Sequence, residues 1–285
     1  MVKILGAAVA AIVIALAGFF GFQFYTQHRI AGQIESSFEQ IRAAGGKASH
    51  GKVSFNLLSR TVTVADIATQ SAAQPPVSVK IASITASDVS QPEATRFSAD
   101  RIEAADVEIG AAMASQPGSS VTYKAPRIIV TEYSGPAGLP QQPPSLSGTD
   151  LYRFALEQFA AINAGAVSIP SIAGTMNFGT ALQDGGFTYT GVEVQGIKEG
   201  KIATTKVNGF SFTATTLEKG NAQKIAGDLT NLAMLDFDAT AIVATLDPQR
   251  ANDDRYYRVY RQFSVGLRDH VRARHAHADR GADRR

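Results

Sequence analysis

The chain begins with an apolar run that is long enough to cross a membrane. Nineteen uncharged, mostly apolar residues, Ile4 to Phe22, follow Lys3, and Phe24 and Tyr25 extend the run. A helix that rises ~1.5 Å per residue would here span the ~30 Å hydrocarbon core of a bilayer. We therefore predict a single transmembrane anchor over residues 1–28, with the two aromatic residues at its far interface.

Two other interpretations of this run remain open. A signal peptide could be cleaved after Ala15-Leu16-Ala17, which has the small residues that such a site needs, and the run could also be a buried core helix. Cleavage would leave Gly18 to Phe22 as an exposed apolar stub, so we favour a retained anchor. The α-amine and Lys3 precede the run and Arg29 follows it, which favours a cytoplasmic N-terminus at a bacterial inner membrane and a body in the periplasm.

The pattern after the anchor is helical. Apolar residues recur every three or four positions, at Ile30, Ile34, Phe38 and Ile41, with polar residues between them. This spacing predicts a short amphipathic stalk helix over residues 29–46, which Gly45-Gly46 would end.

The next segment, residues 47–134, alternates with period two, as strands do. Val53 and Phe55 alternate with polar residues, and Val62 and Val64 do so again beyond a turn at Leu58-Ser59-Arg60, so we predict a β-hairpin.

A weak internal repeat follows this hairpin. Residues 62–67, 84–89 and 102–107 share one form, in which an aliphatic residue, two variable positions and a small residue precede Asp and a second aliphatic residue. The aspartates are Asp66, Asp88 and Asp106. We predict strand-turn-strand units in which each Asp closes a turn, and a fourth strand at Ile128 to Thr131.

The rest of the chain divides into a linker, a second β-rich half and an unusual tail. Prolines and glycines predict a linker over residues 135–148, and the capping-box spacing of Ser147 to Asp150 predicts a helix over about 150–163. Within 149–266 we predict strands around Phe187 to Val194 and Ile202 to Thr213, joined by a turn at 198–201. Helices starting at Asp238 and at Asp247-Pro248 should end this half, the second with Phe263 on its apolar face.

Residues 267–285 differ sharply in composition from the body. They hold six arginines, three aspartates and three of the five histidines, so the excess positive charge of the chain lies there. A basic tail for anionic lipid or nucleic acid is one interpretation. We prefer a second one, in which the tail is read out of frame from GC-rich DNA near Gly266, and inspection of the coding sequence decides it.

Composition and motifs argue against catalysis. A content of 45% hydrophobic and 18% charged residues excludes a disordered chain, and a net charge of +2 gives no reason to expect nucleic acid as a partner of the body. Without cysteine there can be no disulfide or thiol nucleophile. No phosphate-binding loop, nucleophile elbow or zinc-binding helix motif occurs. His28 and His50 are expected at the surface, and Asp236 and Asp238 as a strand end and a helix cap rather than a metal site. We therefore predict no enzyme activity, no cofactor and no metal.

The single span, the short helix and the hairpin "VSFNLLSRTVTVADI" resemble the AsmA-like and YdgA-like groups of inner-membrane-anchored periplasmic β-repeat proteins, over roughly residues 1–110. The resemblance implies an elongated, curled β-sheet whose apolar concave face holds lipid acyl chains and contributes to envelope assembly. The predicted fold class is therefore a β-rich α+β protein, with one N-terminal transmembrane helix, a repetitive, mainly antiparallel curled sheet and a few packing helices.

Two functional hypotheses follow. The first is a lipid-handling envelope protein, with the inner-membrane bilayer and a phospholipid or lipopolysaccharide-type lipid as partners. Its groove would be lined by Val53, Phe55, Val62, Val64, Val79, Ile81, Ile84 and Ile102. The second is a non-catalytic structural or protein-interaction module of the envelope, in which these same residues form a closed core. An open apolar trough would favour the first hypothesis and a sealed interior the second.

Overall fold

A computed structural model describes residues 27–43, 45–56, 58–72, 76–93, 95–112, 119–136, 156–177, 182–218, 221–239, 241 and 261–267. Most of these residues belong to one antiparallel sheet of twelve strands, with helix α1 (Gln27–Ala43) before it. The strands are β1 (Lys47–Ser49), β2 (Val53–Asn56), β3 (Thr61–Gln70), β4 (Val77–Ser87), β5 (Ser90–Glu93), β6 (Arg96–Ala112), β7 (Ser120–Pro136), β8 (Ala164–Asn177), β9 (Leu182–Lys198), β10 (Lys201–Glu218), β11 (Asn221–Asp238) and β12 (Gln262–Leu267).

The order of strands in the sheet follows the order in the chain. The path is β1-β3-β4-β6-β7-β8-β9-β10-β11-β12, with β2 paired to β3 and β5 paired to β6. Each long strand therefore pairs with the strand that precedes or follows it, as hairpin connections favour. The prediction of a mainly antiparallel β-rich protein with few helices is confirmed.

Several long strands contain a residue with left-handed backbone conformation, and there the alternation of faces shifts. On β6, Asp106 has φ 51°, and the outward-facing Ala105 and Asp106 separate the buried Ala104 from the buried Val107. Because of this shift, two outward-facing residues instead of one separate the buried side chains before Asp106 from those after it. Other residues with positive φ lie inside strands: Asp66, Glu132, Gly191, Gly196, Asn231 and Asp236.

These residues correct the interpretation of the repeat. The repeated hexapeptides are real structural equivalents, but Asp66 lies inside β3 and Asp106 inside β6, so neither closes a hairpin turn. Asp88 lies in the bend between β4 and β5. Asp and Asn tolerate left-handed backbone better than most residues, which explains why the repeat keeps a short polar side chain at this position.

The register aligns many of these positions across the sheet. Ser87, Arg101, Thr131, Ala166, Gln195, Thr204 and Leu235 are successive partners in one row. Asp88, Glu132, Gly196 and Asp236, which have positive φ, directly follow four members of this row. The strands therefore change their facing pattern together, along a line that crosses the sheet.

Helix α1 is present but is not a free stalk. Its side chains Ile34 and Phe38 are buried in the apolar core. Gly45 has φ 85°, and its amide and that of Gly46 donate to the last carbonyls of the helix, so the predicted glycine stop is confirmed.

The second half agrees with the sequence in part. The turn at Glu199-Gly200, with φ 51° and 77°, joins β9 to β10 as predicted. Asp238 accepts a hydrogen bond from the Ala241 amide at 3.3 Å, as expected of a helix cap. Residues 156–160 are helical, and their helix ends before 163 because Asn163 pairs with Ser134.

Other expectations need correction or fall outside the described residues. Phe263 belongs to β12, so the prediction of a helix there is wrong, and β7 extends to Pro136 into the predicted linker. The described residues do not include the rest of the predicted linker, the first part of the predicted helix (residues 150–155), the predicted helix from Asp247 or the tail beyond Leu267. So does the predicted anchor, apart from Gln27 and His28. Among the described helices, none has the length and hydropathy to cross a membrane.

Candidate functional site: an aromatic row at one end of the sheet

The inward-facing side chains in the middle of the strands form a sealed core. Ile84 and Ile102 are both 0% exposed to solvent, although the described strands form only one sheet. Such burial requires that other parts of the same chain cover them. The central segment of the sheet is therefore closed.

All eight residues predicted to line a lipid groove belong to this one apolar cluster, and they divide into two groups. The buried members are Val62, Val64, Ile81, Ile84 and Ile102. The partly exposed members are Val53, Phe55 and Val79. The sequence therefore identified residues that come together, and most of them lie below the surface.

One end of the core is covered by the short helix at 156–160. Leu156 and Phe159 of this helix are buried. The ring of Phe97 lies 5.7 Å from that of Tyr133, which rests over Gly135. Burial raises the pKa of Tyr133, and its hydroxyl has no hydrogen-bond partner among the described residues. This end offers little accessible surface for a ligand.

The opposite end carries a row of apolar side chains and glycines. Successive register partners there are Val79, Ile109, Tyr123, Gly174, Phe187, Phe212 and Gly227, on strands β4 to β11. Tyr189 and Phe210 form the next inward pair and are buried, whereas Tyr123, Phe187 and Phe212 are partly exposed. We call Tyr123, Phe187, Tyr189, Phe210 and Phe212 the aromatic row.

Glycine makes the ring contacts of the aromatic row possible. Gly174 on β8 lies between Tyr123 on β7 and Phe187 on β9, and the two rings approach to 5.5 Å over it. A Cβ atom on Gly174 would overlap the Phe187 ring. Gly227 leaves room in the same way for Phe212 on the adjacent strand. The two rings therefore pack over the backbone of the glycines on the neighbouring strands.

The rings contact one another in a connected set. Phe187 lies 5.6 Å from Tyr189, Tyr189 lies 4.6 Å from Phe210, and Phe210 lies 5.9 Å from Phe212. Aromatic pairs at these separations stabilise one another beyond the burial of their area. The aromatic row is therefore a preformed apolar surface.

The setting of the aromatic row keeps its hydroxyl groups in the neutral form. Burial raises the pKa of both Tyr123 and Tyr189, so their hydroxyls stay neutral at physiological pH. Close by in the sheet, Glu108 pairs with Lys124 at 3.0 Å, but side chains of adjacent strand residues point to opposite faces. Lys124 lowers the pKa of Glu108, which keeps that carboxylate charged on the outer face.

The described residues contain no group of three or more acidic or histidine side chains placed to hold a metal ion. The aromatic row can therefore supply dispersion contacts and two hydroxyl groups. These suit an apolar ligand.

Sequence reasoning found the alternation of Phe187 and Tyr189 but not the row itself. Tyr123, Phe187 and Phe212 are far apart in the chain, and only the strand register brings them together. The glycines at 174 and 227 carry a signal that could have been used, because glycine inside a strand often marks a close approach of another group.

The prediction that His50 lies at the surface is wrong. Its side chain is only 14% exposed and lies 2.9 Å from the Glu35 carboxylate, through Nε2. The other ring nitrogen, Nδ1, lies 2.7 Å from the carbonyl oxygen of Gly51, and the ring contacts Phe38 edge to face. His50 therefore joins helix α1 to the sheet, a contact that the glycine-rich sequence around it does not reveal.

No family model matches the chain, and comparison with curated proteins and with solved structures gives no significant match. Inferences about function consequently depend on the residues and contacts of this chain.

Proposed function

We propose that this chain is a non-catalytic, membrane-anchored envelope protein whose curled, exported β-sheet binds a lipid acyl chain along the aromatic row. The apolar run at residues 4–22 and the resemblance to the AsmA-like and YdgA-like groups support the location, at a bacterial inner membrane with the body in the periplasm. A phospholipid or a lipopolysaccharide-type lipid would be the ligand. The observation that carries the proposal is the partly exposed aromatic row at the edge of a sealed core.

The dimensions of the aromatic row suit an extended apolar chain. The longer set of register partners that contains the aromatic row, from Val79 on β4 to Phe212 on β10, crosses five strand-to-strand steps of about 4.8 Å, or about 24 Å in all. Removing each methylene group from water contributes about 0.8 kcal/mol. A chain lying across several strands would therefore gain enough apolar contact for micromolar binding after the cost of association.

The alternative is a structural or protein-interaction module of the envelope, and one observation favours it. The central side chains, such as Ile84 and Ile102, are completely buried, as in a closed core. In this case the aromatic row would serve only to stabilise the end of the sheet, and envelope proteins rather than lipids would be the partners.

Binding of a fluorescent long-chain fatty acid to the full chain in a mild detergent tests the proposal. We expect saturable binding that Phe187→Ala weakens about tenfold, which corresponds to about 1.4 kcal/mol of lost contact. Phe55→Ala is the matched control, because Phe55 is also a partly exposed aromatic residue of the same cluster but lies on β2.

Three outcomes are informative. An effect of Phe187→Ala without an effect of Phe55→Ala supports binding at the aromatic row. The reverse result would place the ligand where the sequence alone had placed the groove, and would overturn the proposed site. Failure of the wild-type chain to bind the fatty acid would overturn lipid binding and favour the structural module. Circular dichroism of each variant checks that the sheet is retained.

A further inference from the structure

The turn between β2 and β3 presents one leucine fully to solvent. Leu58 is 98% exposed, whereas the other large hydrophobic residues that are exposed in the described part of the chain, Val77, Ile225 and Val265, are at most 44% exposed. A lone, partly exposed apolar residue is ordinary on a protein surface. Leu58 differs from such residues because it is exposed over almost its whole surface, at the tip of a hairpin whose turn is held by hydrogen bonds.

The turn that carries Leu58 is well ordered by its own hydrogen bonds. The Asn56 side chain accepts hydrogen bonds from the amides of Leu58, at 3.0 Å, and Ser59, at 3.2 Å. The Thr61 hydroxyl donates to the Ser59 carbonyl at 3.1 Å. Leu58 is therefore held outward by a built turn, as expected when an Asn side chain organises the backbone.

The base of the turn is fixed as well. Arg60 has φ 47°, forms an ion pair with Asp88, and accepts a hydrogen bond on its carbonyl from the Val89 amide at 3.0 Å. These contacts join the hairpin to the end of β4. The direction of the tip is consequently set by the sheet.

Helix α1 runs alongside this hairpin, and its C-terminal end lies far from the tip. The Arg42 side chain donates to the carbonyl of Ala48 at 2.9 Å, and Ala48 pairs with Thr69 near the end of β3. Gly46 lies against the backbone of Gln70. The end of the helix is therefore next to the end of β3 that is remote from Leu58.

The middle of α1 lies closer to the tip. Glu35 contacts His50 at 2.9 Å, and the neighbouring Gly51 amide donates to the Ala65 carbonyl of β3 at 2.8 Å. Going back along the helix therefore means going back along β3, towards its start. The helix axis and the strand point the same way.

The remaining distances bring the start of α1 to the end of the sheet that holds Leu58. Eight helical residues from Glu35 back to Gln27 cover about 12 Å, and five strand residues from Ala65 back to Arg60 cover about 16 Å. Gln27 lies at the C-terminal end of the segment, residues 1–28, for which the sequence predicts a membrane anchor. The hairpin tip and the start of helix α1 consequently lie at the same end of the sheet.

We infer that the β2–β3 hairpin inserts Leu58 into the lipid surface beside the anchor, so that the body contacts the bilayer at two points. This inference rests on the membrane anchoring that the proposed function includes. A leucine on a short rigid turn suits the boundary between headgroups and acyl chains, where an apolar side chain leaves water while the polar turn stays hydrated. A second contact would fix the orientation of the sheet relative to the membrane, which an anchor alone leaves free to rotate.

The absence of cysteine makes a direct test possible, since Leu58→Cys introduces a single thiol into the full chain. The variant is reconstituted in vesicles of phosphatidylethanolamine and phosphatidylglycerol and labelled with an environment-sensitive fluorophore. Lipids that carry a spin label near the headgroup then report contact by quenching. Ile225→Cys is the matched control, because Ile225 is an exposed apolar residue on β11 at the opposite end of the sheet.

We expect a blue-shifted emission and at least a twofold stronger quenching for the label at position 58 than for the label at 225. Equal, water-like emission at both positions in chains that float with the vesicles would overturn the insertion of Leu58 and leave the anchor standing. Chains that do not float with the vesicles would overturn the anchor and, with it, this inference. The two failures are therefore distinguishable.

Discussion

Replacing Gly174 by alanine tests whether the aromatic row is arranged as the register implies. The methyl group would enter the space that the Phe187 ring occupies over β8. The backbone at Gly174 is not left-handed, so alanine brings no conformational strain of its own. The loss of stability should therefore come from displacement of the ring, and no loss should remain when the ring is absent.

The size of the effect follows from the contacts of Phe187. Its ring lies 5.5 Å from Tyr123 and 5.6 Å from Tyr189, and each aromatic pair contributes about 0.5–1.5 kcal/mol. Overpacking of a filled site costs about 1–3 kcal/mol. We expect Gly174→Ala to lower the free energy of unfolding by about 2 kcal/mol. In a Phe187→Ala background the same change should raise it by about 0.5–1 kcal/mol, because alanine is better than glycine inside a strand.

The assay is urea unfolding of the full chain and its three variants in one detergent, followed by tyrosine fluorescence, since the chain has eight tyrosines and no tryptophan. The four free energies form a double-mutant cycle with an expected coupling of roughly 3 kcal/mol. If Gly174→Ala costs the same free energy with and without the Phe187 ring, the ring does not lie over Gly174 and the description of the aromatic row is wrong.

Three further predictions concern other parts of the sheet. Asp106→Val should lower the free energy of unfolding by about 1–2 kcal/mol because a β-branched residue resists left-handed backbone, whereas Asp106→Gly should be nearly neutral; urea unfolding compares them. Arg127 and then Arg101 hold the pKa of Glu103 below its usual range. The stability that the ionised Glu103 contributes is therefore present at neutral pH and is lost as the pH falls through that lowered pKa. In unfolding at pH 7, Glu103→Gln should lower the free energy of unfolding by at most about 1 kcal/mol, and the difference should be smaller in acid or high salt. Asp238→Ala should remove about 1 kcal/mol, because the hydrogen bond to the Ala241 amide is lost, and thermal unfolding in detergent measures it.

Local patterns allowed some parts of the fold to be predicted correctly. The hairpin at Val53 to Val64 and the turn at Glu199-Gly200 depend on residues that are near in the chain, so period-two alternation and turn chemistry were sufficient. The repeat around Asp66 and Asp106 was recognised, but its meaning was not. A short polar residue that can adopt positive φ is found both in turns and inside bent strands, and the local sequence does not distinguish the two.

The candidate site was only half predictable. The sequence identified apolar residues such as Val79 and Ile84 that do share one cluster, because alternation shows which residues face the same way. It could not separate the buried from the accessible ones, since exposure depends on what covers each position. The contact between His50 and Glu35, fifteen residues apart, was missed for the same reason.

The sequence by itself determined the local elements of this protein: amphipathic helix α1, the alternating strands and the glycine stop at Gly45. Tertiary structure decided which strand partners meet, that Tyr123 and Phe187 come together over Gly174, and that one end of the core is covered while the other remains partly open. The physical reason is the separation in sequence over which each kind of interaction acts. Backbone preference and side-chain alternation act within a few residues, whereas register and burial arise only when distant strands are packed against each other.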